Sequence, residues 1–142
     1  MYRKIMLVVC MLVAQYSFAQ KKATTEKIVF ATQSWADVQA MAAKAHKYIF
    51  VDAYTSWCGP CKMLKTTTFT DAKVAAYFNE NFINFSADME KGEGVTLAEK
   101  WSINAYPTLL FFNPEGKMVL MQTGYVNAMQ LTALGKEAIA KK

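Results

Sequence analysis

Cys58 and Cys61 lie three positions apart in Trp57-Cys58-Gly59-Pro60-Cys61-Lys62, directly after the apolar run Tyr48-Ile49-Phe50-Val51-Asp52-Ala53-Tyr54. That run is rich in β-branched and aromatic residues and holds a single acid, the pattern of a central strand covered on both faces. The cysteine pair therefore falls where a strand hands over to a helix. Pro60 sits in the first turn of that helix, where a missing amide hydrogen costs little. A buried strand followed at once by a helix restricts the chain to α/β folds with helices on both faces of a sheet.

The rest of the chain fits that restriction. Ile28-Val29-Phe30 reads as a short edge strand, and Trp35, Val38, Met41, Ala42 and Ala45 recur at helical spacing with Ser34 as N-cap. Beyond the cysteines the helix runs through Met63 and Leu64 until the β-branched run Thr66-Thr67-Thr68 weakens it. Thr70 and Asp71 restart a helix carrying Val74, Ala75, Tyr77 and Phe78. Phe82 to Asp88 returns to strand, and a helix follows from about Val95 to Trp101. Thr108 to Phe112 and Met118 to Gln122, joined by Asn113-Pro114-Glu115-Gly116, make an antiparallel hairpin. Asn127 to Lys142 is a last helix. The expected architecture is a mixed sheet, parallel first and antiparallel at the end, with Trp35, Trp101 and the methionines in the core and His46 on a solvent-facing helix surface.

The amino end has a separate role. Arg3 and Lys4, the apolar run from Ile5 to Ala14 and Ser17-Phe18-Ala19 read as a secretory signal over residues 1–19, too short to span a membrane. Residues 20–27 read as a flexible polar leader and 28–142 as one domain. Cleavage removes Cys10, so an exported chain keeps Cys58 and Cys61 as one available pair. The formal net charge of +5 includes Arg3 and Lys4, and Arg3 is the sole arginine of the chain. Bidentate recognition of phosphates or bases has no arginine to use, which argues against nucleic-acid binding.

Competing chemistries lack their residues. A zinc site needs four ligands, and beyond the signal the chain offers two cysteines and His46. A c-type haem requires histidine directly after the second cysteine, where Lys62 stands. A structural bridge over so short a loop would constrain the unfolded chain little. Redox chemistry remains. At a helix N-terminus Cys58 is favoured as thiolate and is the expected nucleophile. Cys61, one turn on, can reach a mixed disulfide and release the product. Gly59 leaves room for a substrate backbone and Pro60 stiffens the loop.

The stretch Val51-Asp52-Ala53-Tyr54-Thr55-Ser56-Trp57-Cys58-Gly59-Pro60-Cys61-Lys62, with Tyr106-Pro107-Thr108-Leu109 downstream, resembles the thioredoxin family. From Thr68-Phe69-Thr70-Asp71 through Asn81-Phe82 the chain is more similar to thioredoxin-like domains of periplasmic thiol-disulfide interchange proteins. The resemblance implies a thioredoxin-like fold and several roles. Asp52 matches a buried acid that assists proton transfer at the second cysteine, or else serves as a hydrogen-bonded structural acid. Pro107 matches a cis-proline facing the cysteines, so that Tyr106, Pro107 and Thr108 would bind substrate backbone. Trp57 matches an indole covering the active site, with core packing as its alternative, and Lys62 completes the motif. Asn84 stands where many members carry a lysine near the acid.

The expected function is that of an exported, periplasmic, soluble protein-disulfide reductase. It would act as a monomer, carry no cofactor beyond the Cys58–Cys61 disulfide, bind no metal and take electrons from a membrane thiol donor. A disulfide isomerase or oxidase, or a non-catalytic peptide-binding module, are the alternatives.

Overall fold

In the computed structural model, which describes residues 26–141, the apolar run becomes strand β1 (Tyr48–Tyr54) at the middle of the sheet. The expected signal over 1–19 and most of the leader over 20–27 lie outside the described residues. Parallel to β1 runs β2 (Phe82–Asp88), and on its other side β3 (Thr108–Phe112) runs antiparallel. The hairpin partner β4 (Met118–Thr123) closes the order β2-β1-β3-β4. Helix α1 (Trp35–Ala45) precedes β1; α2 (Gly59–Thr66), a 3₁₀ turn (Thr68–Thr70) and α3 (Ala72–Asn81) separate β1 from β2. Helix α4 (Glu93–Lys100) connects β2 to β3, and α5 (Ala128–Ala140) ends the chain. Among the described residues no helix is long and apolar enough to cross a membrane.

Alternation along β1 divides the interior into two cores. Ile49, Val51 and Ala53 join Trp35, Val38, Ala42, Phe85, Leu97, Trp101, Leu110 and Phe112 beneath α1 and α4. Phe50 joins Leu64, Phe69, Phe78, Phe82, Leu109, Phe111 and Leu131 beneath α2, α3 and α5. In the second core the Phe50 ring meets Phe78 at 4.8 Å and Phe111 at 5.2 Å between centroids. The same alternation turns Asp52, two residues after Phe50, toward the face that α2 covers.

Short polar side chains set the helix ends. Ser34 accepts the Asp37 amide, Asp71 accepts the amides of Lys73 and Val74, and Asn127 with Gln130 forms a reciprocal capping box. Glu93 reaches across from α4 to the Trp35 amide at 3.1 Å, tying the starts of α1 and α4 together. Gly94 is required by close approach. A Cβ there would overlap the Asp88 carbonyl oxygen where α4 leaves β2.

Three sequence expectations change. Ile28-Val29-Phe30 forms no strand, and the contact with the sheet is one isolated parallel bridge between Ala31 and Phe85. Side-chain amides take the place of ladder partners: Asn79 Oδ1 accepts the Val29 amide at 2.9 Å and Asn84 Nδ2 donates to the Val29 carbonyl at 3.2 Å. The methionines are not all core. Met89 is buried, but Met41, Met63, Met121 and Met129 are exposed. In α1 the buried face is the narrow stripe of Trp35, Val38 and Ala42, and Met41 stands on its shoulder. Helix α4 begins at Glu93, earlier than the apolar pattern indicated, because its first turn is held by polar contacts. His46 is exposed at the left-handed C-cap of α1, with φ of 52°.

Replacing Gly94 by Ala is expected to lower stability by about 1–3 kcal/mol through overpacking against backbone. Urea unfolding followed by tryptophan fluorescence would show a lower midpoint at unchanged slope.

Candidate active site

From the end of β1 the chain turns sharply, with the Cys58 amide donating to the Thr55 carbonyl at 3.3 Å. Cys58 is the N-cap of α2, and its Sγ accepts the Cys61 amide at 3.1 Å. The two sulfurs are joined in a disulfide with Cα atoms 5.3 Å apart. Both cysteines are buried, at 3% and 1% exposure, whereas Gly59, Pro60 and Lys62 between and beside them are exposed. Nothing approaches within 4 Å of a Cβ placed on Gly59, so the backbone between the cysteines is open to an incoming chain at that point. Unpaired amides and the positive end of the α2 dipole lie at Cys58, which favours its thiolate once the bridge is reduced.

Asp52 is fully buried. Register pairs it with Ser86 on β2, whose Oγ donates to Asp52 Oδ2 at 2.9 Å. Oδ1 has no hydrogen-bond partner among the described residues. Burial pushes the carboxyl up to about 6, with the Ser86 hydrogen bond and the Lys65 ammonium pulling the other way.

The acid's neighbours differ from those the resemblance implied. Asn84 pairs with Phe50, not Asp52, and its side chain bonds to Val29 and Asn79. Ser86 bonds the acid instead and Lys65 is the cation that acts on it, and sequence reasoning passed over both. Helical spacing held the signal for Lys65, which follows Cys61 by four positions and so shares its helix face. Ser86 was hidden because strand register between β1 and β2 is not written locally.

The peptide bond between Tyr106 and Pro107 is cis. Register pairs Ala53 with Thr108, which sets Pro107 across from the end of β1, where the cysteine loop departs. Thr108 Oγ1 donates to the Ala105 carbonyl at 2.8 Å, and the Gly124 amide donates to the Pro107 carbonyl at 2.8 Å. Trp57 is 64% exposed, which excludes core packing. Its ring meets Tyr106 edge-on at 6.1 Å, and its Nε1 donates to the Glu90 carboxylate at 3.0 Å. Glu90 is a further residue that sequence reasoning missed. Trp57 and Tyr106 thus meet next to the residue that begins the Cys58–Cys61 bridge, and Asp52 lies on the face of β1 that α2 covers.

A helix-capping disulfide at the end of a central strand, a cis-proline opposite and a mixed sheet between two helical layers define a thioredoxin-like thiol-disulfide oxidoreductase. Residues 35–139 match the family model described as a thioredoxin-like domain, and the chain belongs to that family. The thiol:disulfide interchange protein DsbD of Yersinia pestis is 34% identical over 98 residues, which is 66% of this chain and 16% of that protein. The chain thus spans about a sixth of the length of that relative. Among solved structures, a proposed disulphide-isomerase from Bacteroides thetaiotaomicron is 44% identical with a TM-score of 0.70, covering 82% of this chain and 98% of that one. Spinach chloroplast thioredoxin f is 26% identical with a TM-score of 0.60, covering 83% and 98%.

The raised Asp52 carboxyl makes a stability prediction with a definite sign. The folded state holds the proton up to about 6, while the unfolded chain releases it near 3.8. Asp52 therefore does no harm below the unfolded value and destabilises the fold progressively as pH rises through the folded one. Asp52→Asn in the oxidised protein is expected to gain on the order of 3 kcal/mol at neutral pH and nothing in acid, read by urea unfolding at both.

Proposed function

We propose that this chain is an exported protein-disulfide reductase. The observation that carries the reading is the Cys58–Cys61 disulfide at the N-terminus of α2, the helix that covers the β1 face on which Asp52 is buried. In the reduced protein the Cys58 thiolate attacks one sulfur of a substrate disulfide and expels the other as a thiolate. This leaves a mixed disulfide. Cys61 then passes its proton to Asp52 and attacks the Cys58 sulfur. The substrate's second thiolate leaves, and the Cys58–Cys61 bond closes. Two electrons have moved from the pair to the substrate.

Trp57, Tyr106, Pro107 and Thr108 form the surface for the substrate's extended backbone, and Gly59 gives it access. Lys62 and Pro60 support the loop. Disulfide-bearing proteins are the substrates, which the interchange protein among the relatives supports. The Gly59-Pro60 dipeptide, as in reducing thioredoxins, supports the direction. The amino-terminal pattern of Arg3, Lys4, the apolar run and Ser17-Phe18-Ala19 supports export of a domain beginning near residue 28. In an oxidising compartment the pair is returned to the dithiol by a membrane thiol donor, with no cofactor besides the two cysteines and with the chain acting as a monomer.

A second reading, disulfide isomerisation, is favoured by the similarity to the proposed isomerase from Bacteroides thetaiotaomicron. Titration of the pair against glutathione separates the two. A reductase titrates well below the ~−180 mV typical of isomerases, and a value at or above it reverses the direction. In an insulin-reduction assay Cys58→Ser is expected to lose turnover, and Cys61→Ser to accumulate mixed disulfides with its clients. A Cys58→Ser protein that loses insulin reduction yet keeps its full cellular phenotype would leave peptide binding, without redox chemistry, as the function.

A further inference from the structure

The buried Asp52 carboxyl is only half satisfied. Ser86 holds Asp52 Oδ2, and Oδ1 has no hydrogen-bond partner among the described residues. A carboxylate bonded at every lone pair would be fixed in its charged form and would make a poor proton acceptor, so an open oxygen suits a group that must cycle. An open carboxylate in an apolar interior has the opposite difficulty, because burial favours the acid form and leaves too little base. Something has to keep ionisation within reach.

On the same side of the sheet a cleft of about 470 Å³ opens between the segment 28–30, Phe69 and α2, with Ser86 and Lys65 in its wall. Lys65 is half-buried there, its Nζ 3.0 Å from the centroid of the Tyr54 ring. The ring holds the cation in place, and the carboxylates that act on it are Asp52 and Asp88. Because Lys65 follows Cys61 by four residues, one face of α2 carries both the thiol that must lose a proton and this ammonium.

We propose that Lys65 is a positioning residue for the proton transfer from Cys61 to Asp52: seated on Tyr54 in the cleft wall, its ammonium keeps the buried carboxyl able to ionise for the resolving step. This rests on the roles given to Cys61 and Asp52 under the proposed function. The proton goes from the Cys61 thiol to Asp52, the resulting thiolate attacks the Cys58 sulfur, and the bond from Cys58 to the substrate breaks with release of the substrate thiolate.

The surroundings of Asp52 single out this cation. On β1 its neighbours of the same face are Phe50 and Tyr54, and α2, whose Lys65 acts on it, carries Cys61 one turn before Lys65. Strand β2 contributes Ser86 and then Asp88, whose carboxylate pairs with Lys91 at 3.4 Å. Strand β3 places apolar Leu109 opposite, and Lys27 lines the far side of the cleft. Among these, Lys65 is the cation that acts on Asp52, while Asp88 acts on Lys65 and Tyr54. Burial drives both members toward their neutral forms, holding the Lys65 ammonium below the ordinary lysine range, and their mutual attraction opposes each shift.

Lys65→Met tests this, since it keeps the stem over Tyr54 and removes the charge. The reduced protein is mixed with a disulfide substrate, and the resolving rate is followed as a function of pH, alongside a carbon-13 titration of the Asp52 carboxyl in the oxidised protein. At pH 5 the rate should fall about threefold to tenfold, the order expected below the midpoint when a base's midpoint rises by up to one pH unit, and by no more than about twofold at neutral pH. Both midpoints should move to higher pH, and Lys65→Arg should restore both. An unchanged melting temperature of Lys65→Met excludes simple misfolding; a changed one transfers the test to Lys65→Gln. A rate profile superimposable on that of the wild type overturns the proposal, whatever the carboxyl does. The carboxyl titration needs no substrate. A wild-type protein without reductase activity would therefore defeat the proposed function, while an unmoved Asp52 midpoint in Lys65→Met would defeat the link itself.

Discussion

The buried ionisable carboxyl of Asp52 stands between two opposed requirements on which the site depends. Taking a carboxylate out of water costs several kcal/mol even after relaxation. A hydrogen bond from a hydroxyl to a charged group returns about 1.5–3 kcal/mol, and a partly exposed cation adds less. Burial therefore wins, and the group stays protonated up to about 6. Both sides of that balance come from the sheet and the helix above it. Strand β1 buries the acid by being covered on both faces, Ser86 meets it through the β1–β2 register, and α2 brings Lys65 over Tyr54.

The same geometry treats the two sulfurs differently. Cys58 caps α2 and receives the full effect of its unpaired amides, a stabilisation of the thiolate of about 0.3–2 kcal/mol. Cys61 lies a turn inside, and its own amide donates to Cys58 Sγ. An asymmetry that looks chemical in the motif is thus produced by position along one helix. On the outer surface Trp57 extends the contrast, since its indole is held by Glu90 and Tyr106 while remaining exposed.

Much of the fold was legible because it is local. Helices with Ser34, Asp71 and Asn127 at their starts announced themselves through spacing and capping residues, and the hairpin through Asn113-Pro114-Glu115-Gly116. Long-range choices were harder to read. Ile28-Val29-Phe30 has strand composition, yet amides from Asn79 and Asn84 take its backbone groups and leave one bridge. Met41 and Met129 match an apolar pattern, but the buried stripes of their helices are narrower than the pattern. Asn84, expected beside the acid, pairs with Phe50 and bonds to Val29 and Asn79, while Ser86 bonds the acid.

By itself the sequence determined the chemistry: two cysteines three apart at the junction of a buried strand and a helix, one acid within that strand, and a proline ahead of a later strand. These follow from composition and from periods of two and 3.6, which any reader of the chain can count. Only the tertiary structure decided what surrounds the acid, because strand register and helix docking bring together residues separated by tens of positions. Asp52, Lys65 and Ser86 become one site when β2 pairs with β1 and α2 folds down over them.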